Sequence, residues 1–449
     1  MKRYEKYKAS GVQWIGNIPE EWAMSQIKYA TYVKGRIGWK GLKSDEFLDE
    51  GYAYLVTGTD FEKGKINWEN CYSIDKERYD EDPFIQIKKD DLLITKDGTI
   101  GKVAHIDSLP KYTCLNSGIF VVRPLLKELQ SRYLYYILIS NVFSDFFDFN
   151  STGATILHLY QNVFDRFGFP IPAIQEQNKI ISFLDHKTAQ IDALIEKKEQ
   201  LIEKLKLQRQ AIINEAVTKG LNPNVPMKDS GIEWLGEIPT HWKVVKLKHL
   251  FKITGGGTPN KQVDDFWNGT IPWVSPKDMK VDLITTTEDF ITDEGLANSA
   301  TNLIDEGNLL MVVRSGILQR TIPIAITGTP VAVNQDIKAF TSRGRVSSNY
   351  LFYFVKGNEL NLLNEIVKQG ATVESVELDF LTNTFIVFPS ITEQNQIVDY
   401  LDKKEQNAEQ VTNKLSQSIE KLTLYRQSLI SEAVTGKIDV RDWETTKTN

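Results

Sequence analysis

The sequence predicts an α+β protein made of two like halves, each a strand-rich globular part followed by one long helix. Three observations predict this. A 13-residue motif returns at an offset of 220, and a helical segment returns at an offset of 217. Between these frames lie short β-leaning runs broken by glycine, Asn-Gly and Asp-Gly turns.

The bulk numbers fit that picture. A chain of 449 residues is too long for one ordinary core and suggests two to four domains. With 41% hydrophobic and 25% charged residues it has the make-up of a globular protein. No apolar run approaches the ~20 residues a membrane helix needs. The opening MKRYEKYKAS has no apolar stretch behind its charges, so no secretory signal is expected. Cys71 and Cys114 are too few for a disulfide framework or a four-thiolate zinc site and read as buried, reduced thiols. The five histidines show no metal-ligand spacing, and no metal is expected.

Ser10–Trp22 reads SGVQWIGNIPEEW and Ser230–Trp242 reads SGIEWLGEIPTHW, identical at seven of 13 positions. Pro172–Thr218 and Pro389–Thr435 match at 23 of 47 positions, both opening with an EQN tripeptide and closing on EAVT. The stretches between diverge, with echoes such as GAT at Gly153–Thr155 and Gly370–Thr372, Asn116 against Asn334, and YLYY against YLFY. Shared frames around unlike middles fit a common scaffold that reads two different targets. They fit neutral drift after duplication equally well.

The repeated helical segments carry apolar residues at alternating spacings of four and three. In the first, Ile180, Leu184, Ile191, Leu194, Leu201, Leu205 and Ile212 fall on this stripe. In the second, Ile397, Leu401, Ala408, Val411, Leu415, Leu422, Tyr425 and Leu429 do. Neither pattern contains proline or glycine, and each runs from a proline (Pro172, Pro389) to a glycine (Gly220, Gly436). Some 43 helical residues would span about 65 Å. The two stripes can satisfy each other as an antiparallel coiled coil; the alternative is two helices packed separately on their own globular parts.

The globular parts show strand signals at YAYLVTG (52–58), DLLIT (91–95) and GIFVVRP (118–124), then at TIPWVS (270–275), NLLMVV (308–313) and VAVNQDIKAF (331–340). Helical patterns follow at about 130–147 and 347–367. Each globular part is therefore expected to hold a curved antiparallel sheet.

A net charge of −6 argues against nucleic acid, but its distribution argues for it. Lys28–Lys43 holds five basic residues, no acid, and Trp39; Lys243–Lys261 again holds five basic residues and no acid, at the corresponding place in the second copy. A solvated basic face would look the same. Base readout needs forked donors and amides, and Gly-rich turns carrying such groups recur at KDGTIG (96–101), STGATILH (151–158), GGGTPNK (255–261) and RSGILQR (314–320). Any one of these could be an ordinary hairpin turn. The candidate DNA-contacting residues are Lys34, Arg36, Trp39, Lys40, Lys43, Lys96, Thr99 and Thr155 in the first copy. In the second they are Thr258, Asn260, Lys261, Lys277, Arg314, Gln319, Arg320 and Thr372. No phosphate-binding GxxxxGK[ST], no dinucleotide GxGxxG after a strand, no [DNS]PP[YFW] and no GxSxG is present, so no catalytic residue and no cofactor is expected.

Taken together, SGVQWIGNIPEEW, SGIEWLGEIPTHW, the two PxIxEQNxI starts, the ends QRQAIINEAVTKG and YRQSLISEAVTGK, and the closing TGKIDVRDW resemble the specificity subunit of type I restriction–modification systems. The resemblance covers almost the whole chain. It implies two target recognition domains, 1–170 and 221–388, two conserved helices, 171–220 and 389–436, and a C-terminal tail, 437–449. It further implies a non-catalytic, cytoplasmic subunit that binds double-stranded DNA, each domain reading half of a split asymmetric site. The helices would set the spacer and dock two modification (methyltransferase) subunits, with ATP-dependent restriction subunits joining them and no membrane involved. S-adenosylmethionine, magnesium and ATP would belong to those partners. Two other readings compete. A self-contained DNA methyltransferase is disfavoured by the missing cofactor and base-gripping motifs, and a coiled-coil scaffold without nucleic acid would show no gel shift.

Overall fold

The computed structural model describes residues 2–36, 42, 46–151, 158–368 and 374–444. The chain divides into two compact units, Met1–Lys198 with Ser416–Asn449, and Glu199–Leu415. The division falls inside both long helices, Ile174–Lys219 and Ile391–Val434. Each unit therefore holds one globular part, the first half of one long helix and the second half of the other. Both helices begin two residues after a proline (Pro172, Pro389), which cannot donate to a helical ladder. Both stop at a left-handed glycine, Gly220 (φ +79°) and Gly436 (φ +67°).

The globular parts share one topology although their sequences diverge. In the first unit a four-stranded sheet orders Thr31–Gly35, Ile119–Pro124, Leu92–Thr95 and Val103–His105. In the second, Phe251–Gly255, Ile337–Ser342, Leu309–Val312 and Ile324–Thr327 repeat that order, and Leu283–Ile284 adds an edge strand. A smaller sheet places Ala53–Val56 between Tyr72–Ile74 and Thr113–Leu115. Its counterpart places Trp267–Val274 between Asp289–Ile291 and Val331–Val333, with Leu303–Ile304 at the edge. The sequence predicts antiparallel sheets, but the pairing is mixed. Ala53–Val56 pairs in parallel with Thr113–Leu115, Trp267–Val274 with Val331–Val333, and Leu283–Ile284 with Ile324–Thr327. Dozens of residues separate the partners in each case, enough for the chain to cross over and return in the same direction.

The repeated sequence frames turn out to be joints between each globular part and the helices. Gln177 is fully buried: its amide donates to Glu128 O (2.6 Å) and Pro172 O (2.9 Å) and accepts from Gln130 N (3.0 Å). Gln394 repeats this with Arg345 O, Pro389 O and Ser347 N. Here the EQN glutamine satisfies main-chain groups that a buried helix start would otherwise leave unpaired. Trp22 and Trp242, the last residues of the 13-residue motif, are each 1% exposed. Trp242 donates to Glu393 Oε1 (3.1 Å), whereas the matching Glu176 accepts from the Tyr4 hydroxyl (2.5 Å).

Burial along the two apolar stripes is concentrated at the helix ends. Ile180, Leu184 and Ile191 join the core of the first unit with Leu429, Ile430 and Val434, while Ile213, Val217, Ile397 and Leu401 join that of the second. Leu194, Leu201 and Val411, on the same stripes, are each 44% exposed. In the first unit Arg426 is paired with Asp192 (2.8 Å), and in the second Arg209 is paired with Glu405 (2.6 Å). The described residues after the second long helix, through Trp443, pack on the first unit's core. Ile438 and Val440 are buried, Asp439 N donates to Lys2 O (2.9 Å), and the Trp443 ring meets Phe183 edge-on at 5.5 Å.

Among the described residues no helix is long and apolar enough to cross a membrane, and no group of three metal-ligating side chains comes together. Cys71 and Cys114 are buried and free. Burial pushes their thiols up to about 12 and about 11, the guanidinium of Arg36 opposing the shift at Cys114. Since an unfolded thiol titrates near 8.5, the two contribute stability that is fully present below about pH 8.5 and lost as pH rises through 11 to 12. At pH 8 the native chain is expected to resist a maleimide at both positions and to label at both once unfolded; fast labelling of the folded chain would contradict this.

Candidate nucleic-acid interface

Strand register brings the candidate residues of each unit to one end of its larger sheet. In the first unit Gly35 faces Phe120, so the basic stretch leaves the sheet beside the turn at 116–118. The Leu92–Thr95 strand ends there too: Lys96 N donates to Gly118 O (2.9 Å) and Leu159 N to Lys96 O (2.9 Å). Four segments that diverge between the copies, 34–36, 96–101, 116–118 and 158–161, thus share one pole. In the second unit Gly255 faces Lys338, Gly257 N donates to Val333 O (3.0 Å), Val313 N to Asp336 O (2.8 Å) and Val376 N to Val313 O (2.8 Å). The segments 255–258, 313–320, 333–336 and 374–376 meet in the same way.

The individual side chains fall into distinct classes. Trp39, Lys40, Lys43, Thr155 and Thr372 lie outside the described residues. Lys34 is half-buried, its ammonium 5.9 Å from the Phe84 ring centre. Arg36 is 3% exposed; its Nε donates to Leu115 O (3.0 Å) beneath the turn. A guanidinium so placed holds the Cys114–Leu115 strand end, and its place supports a positioning role and not a direct phosphate contact. Lys96 pairs with Asp97 (3.1 Å) and lies 5.6 Å from the Phe120 ring centre. Thr99 is exposed, and its carbonyl takes the Thr95 hydroxyl (2.6 Å), closing the tip of the hairpin.

On the second pole the Thr258 hydroxyl donates to Gln335 Oε1 (2.6 Å). Asn260 is exposed and its side-chain carbonyl accepts from Gln262 N (3.0 Å), an Asx turn that leaves the amide nitrogen outward. Lys261, Gln319 and Arg320 are exposed. Arg314 is paired with Asp336 (2.7 Å). Lys277 is held by Glu288 (2.9 Å) and Asp289 (3.0 Å), which raise its pKa, so its charge is largely balanced within the chain.

Sequence reasoning missed the groups that hold these side chains. In the first unit they are Asp97, which takes both Lys96 and His158, and Asn116, whose side chain accepts from Ser117 N (2.7 Å). In the second they are Gln335, Asp336 and the buried Asn334. The signal available was the echo of Asn116 in Asn334. Each anchors its turn through the main chain, Asn116 N to Val56 O (2.9 Å) and Asn334 N to Val274 O (3.0 Å). Each pole therefore offers cations, amides and hydroxyls on loops rooted in a rigid sheet. That set of groups can pair with phosphate oxygens and with base edges, and neither pole assembles a catalytic constellation among the described residues.

Comparison with known proteins agrees with the duplication. A model of the type I restriction modification DNA specificity domain matches twice, at residues 19–204 and 239–421. The EcoR124I/EcoR124II type I restriction enzyme specificity subunit of Escherichia coli is 37% identical over 186 residues, which is 41% of this chain and 45% of that protein. The MjaIX specificity subunit of Methanocaldococcus jannaschii is 29% identical over 38% of this chain and 42% of its own length, so the chain spans about half the length of these two relatives. The MjaVIII specificity subunit of the same organism is 24% identical over 95% of both chains. A solved structure concerned with complex assembly and conformational transition of the type I R-M system superposes with a TM-score of 0.71 at 16% identity, covering 94% of this chain and 99% of that one. The HsdS subunit of Thermoanaerobacter tengcongensis superposes with a TM-score of 0.53 at 16% identity, covering 94% and 98%.

Proposed function

The chain belongs to the type I restriction–modification DNA specificity family, and from that premise we propose that it is the sequence-reading, non-catalytic subunit of such a complex in the cytoplasm. Each recognition domain reads one half of a split, asymmetric site in double-stranded DNA. The observation that carries this reading is the convergence, in both units, of four divergent loops on one end of a shared sheet. A duplicated scaffold with unlike loops at matching poles suits two unlike half-sites. The long helices run antiparallel, set the spacer between the half-sites, and dock two methyltransferase subunits, to which restriction subunits are added. This is supported by the first half of each helix lying with the second half of the other inside a unit. At the poles, Lys34, Lys96, Lys261 and Arg320 serve phosphates, Asn260, Arg314 and Gln319 serve base edges, and Thr99 and Thr258 serve either. Lys277, already paired twice, contributes through its stem or by exchanging partners.

With a formal charge of −6 the chain offers phosphates only local patches. DNA binding by the isolated chain should therefore be weak and steeply salt-dependent, and much tighter with methyltransferase subunits that extend the contact around the duplex. Gel shifts across a salt series, with and without the partner, measure this. Equal affinity in both cases would count against the proposed division of labour. Sequencing the methylated positions in cells that express both subunits would return the half-sites and the spacer together.

A further inference from the structure

We propose that Arg314 reads a guanine in the half-site of the second recognition domain and that Asp336 is the positioning residue that aims it; this rests on the DNA-reading function proposed above. The sheet registers align the two poles residue by residue. Thr95 faces Ile119 as Val312 faces Ile337, so Asp97 corresponds to Arg314 and Gly118 to Asp336. The third segment agrees, since Leu159 N bonds to Lys96 O as Val376 N bonds to Val313 O, which makes His158 the counterpart of Ser375. A Cβ placed on Gly118 would lie 3.7 Å from Asp97 Cβ, so these two positions face each other in the first unit as Arg314 and Asp336 do in the second.

The chemistry at this spot is kept while the residues change places. In the second unit the cation is Arg314 and the carboxylate is Asp336, across the strand pair. In the first unit the carboxylate sits at the arginine's position, as Asp97, and it is met by the Lys96 ammonium and the His158 ring. The surrounding middles share little sequence, yet both retain an aspartate-held cation at the same point of the same pole. Stability does not account for this. The Arg314 side chain is 58% exposed, and an ion pair that open to water contributes little.

The local geometry says what the pair is for. Asn334 is 5% exposed and holds Asp336 twice: its side-chain carbonyl accepts from Asp336 N (3.0 Å) and its amide donates to Asp336 Oδ2 (3.3 Å). Asn334 is in turn tied to the core strand through Val274 O. Asp336 Oδ1, buried and without a hydrogen-bond partner of its own, lies 2.7 Å from Arg314 Nε as an ion pair. The backbone of Arg314 is bridged on its other side by Ser375. Apart from this ion pair, the guanidinium makes no side-chain hydrogen bond to a described residue, so its terminal N–H groups are available. That pair of N–H groups is the fork that matches O6 and N7 of guanine in the major groove. Holding the guanidinium beside the Asp336 carboxylate before DNA arrives removes part of the ordering cost of a long side chain. A bare phosphate contact needs no such support.

The test uses the full chain with its methyltransferase partner. Methylated-site sequencing on the wild type gives the half-sites, and binding is then measured on duplexes carrying each base at every position. Arg314→Ala, Arg314→Lys and Asp336→Asn are each expected to lose about tenfold or more of the preference at one and the same G·C pair. The other half-site should keep its wild-type preferences, and 7-deazaguanine at that pair should weaken wild-type binding but not Arg314→Ala. Arg314→Lys and Asp336→Asn are conservative, so they carry the test if the alanine variant fails to fold, with melting temperature as the check. A uniform loss of affinity with base preferences intact would make Arg314 a phosphate contact and overturn the proposal. Relaxation by Arg314→Ala but not by Asp336→Asn would remove the positioning role. A wild-type complex with no sequence preference at all would instead refute the DNA-reading function itself.

Discussion

Replacing Gly256 with alanine is expected to abolish recognition of the second half-site while the first domain still binds its own. A Cβ at this position would lie 1.9 Å from Val333 O and 2.5 Å from Asn334 O. Both obstacles are main chain, so no rotamer change relieves them. The loop 255–258 must lift from the strand Val331–Val333, breaking the bond from Gly257 N to Val333 O and loosening Asn334, from which the pole is built. Overpacking a tight site costs about 1–3 kcal/mol and sometimes more, and here the strain falls on the loops proposed to meet DNA. Gly316 supplies the control. It lies on the hairpin tip of the same pole, its backbone is not left-handed, and a Cβ added there would meet nothing within 4 Å. A complex of Gly316→Ala with its methyltransferase partner should methylate the wild-type site at the wild-type rate. Measuring methylated sequences and melting temperatures for both variants decides the matter; a Gly256→Ala complex that methylates the original site at full rate would sink it.

The glycine also shows what a sequence can and cannot disclose. GGGTPNK is visible as a Gly-rich turn, but the reason for its second glycine is a carbonyl some 77 residues further along the chain. The duplication, the long helices and the strand runs were legible because they depend on period and on repeats, both local properties. The stripes read as continuous, yet Leu194, Leu201 and Val411 are exposed, since periodicity marks a face without saying how far a partner covers it. The parallel strand pairs were invisible because direction depends on the crossover and not on the strand. Arg36 read as one more phosphate ligand in a basic stretch; its strand ends under the 116–118 turn, and that burial follows from register alone. Asp97 and Asp336 were overlooked because acidic residues argue against DNA contact when counted one at a time. They acquire a role only once register sets them against Lys96, His158 and Arg314.

Removing one hydroxyl from each unit, by Tyr133→Phe and Tyr350→Phe, is expected to destabilise that unit by about 1–3 kcal/mol. Both tyrosines are fully buried. The Tyr350 hydroxyl lies 3.0 Å from Val217 O, in the last turn of the first long helix, and 3.1 Å from Val387 O in the strand that closes the globular part. The Tyr133 hydroxyl repeats this with Val434 O (3.2 Å), in the last turn of the second helix, and Pro170 O (3.1 Å). The final carbonyls of a helix have no partner within it, so each hydroxyl satisfies one and at the same time ties helix to globular part. Phenylalanine fills the same space and leaves a buried carbonyl unpaired. For units of this size the loss should lower each unit's melting temperature by roughly 2–4 °C per kcal/mol. As the two sites lie in different units, the double variant should show the sum of the single effects. Burial raises both phenols well above their ordinary value. Their contribution is therefore complete below about pH 10 and is lost as pH climbs beyond it, where the unfolded tyrosines ionise. The variants should accordingly lose less stability than the wild type between about pH 9 and 11. Function should separate from stability below the melting range. Neither substitution touches a pole, so both half-sites should be read as before. The junction that holds each domain to a helix end is looser, so the spacer between half-sites should be selected less strictly. Methylated-site sequencing would show this as the original half-sites at more than one spacing. Unchanged melting in both variants would mean that the hydroxyls hold nothing, and relaxed half-sites with a fixed spacer would place the tyrosines in base reading instead of in the junction.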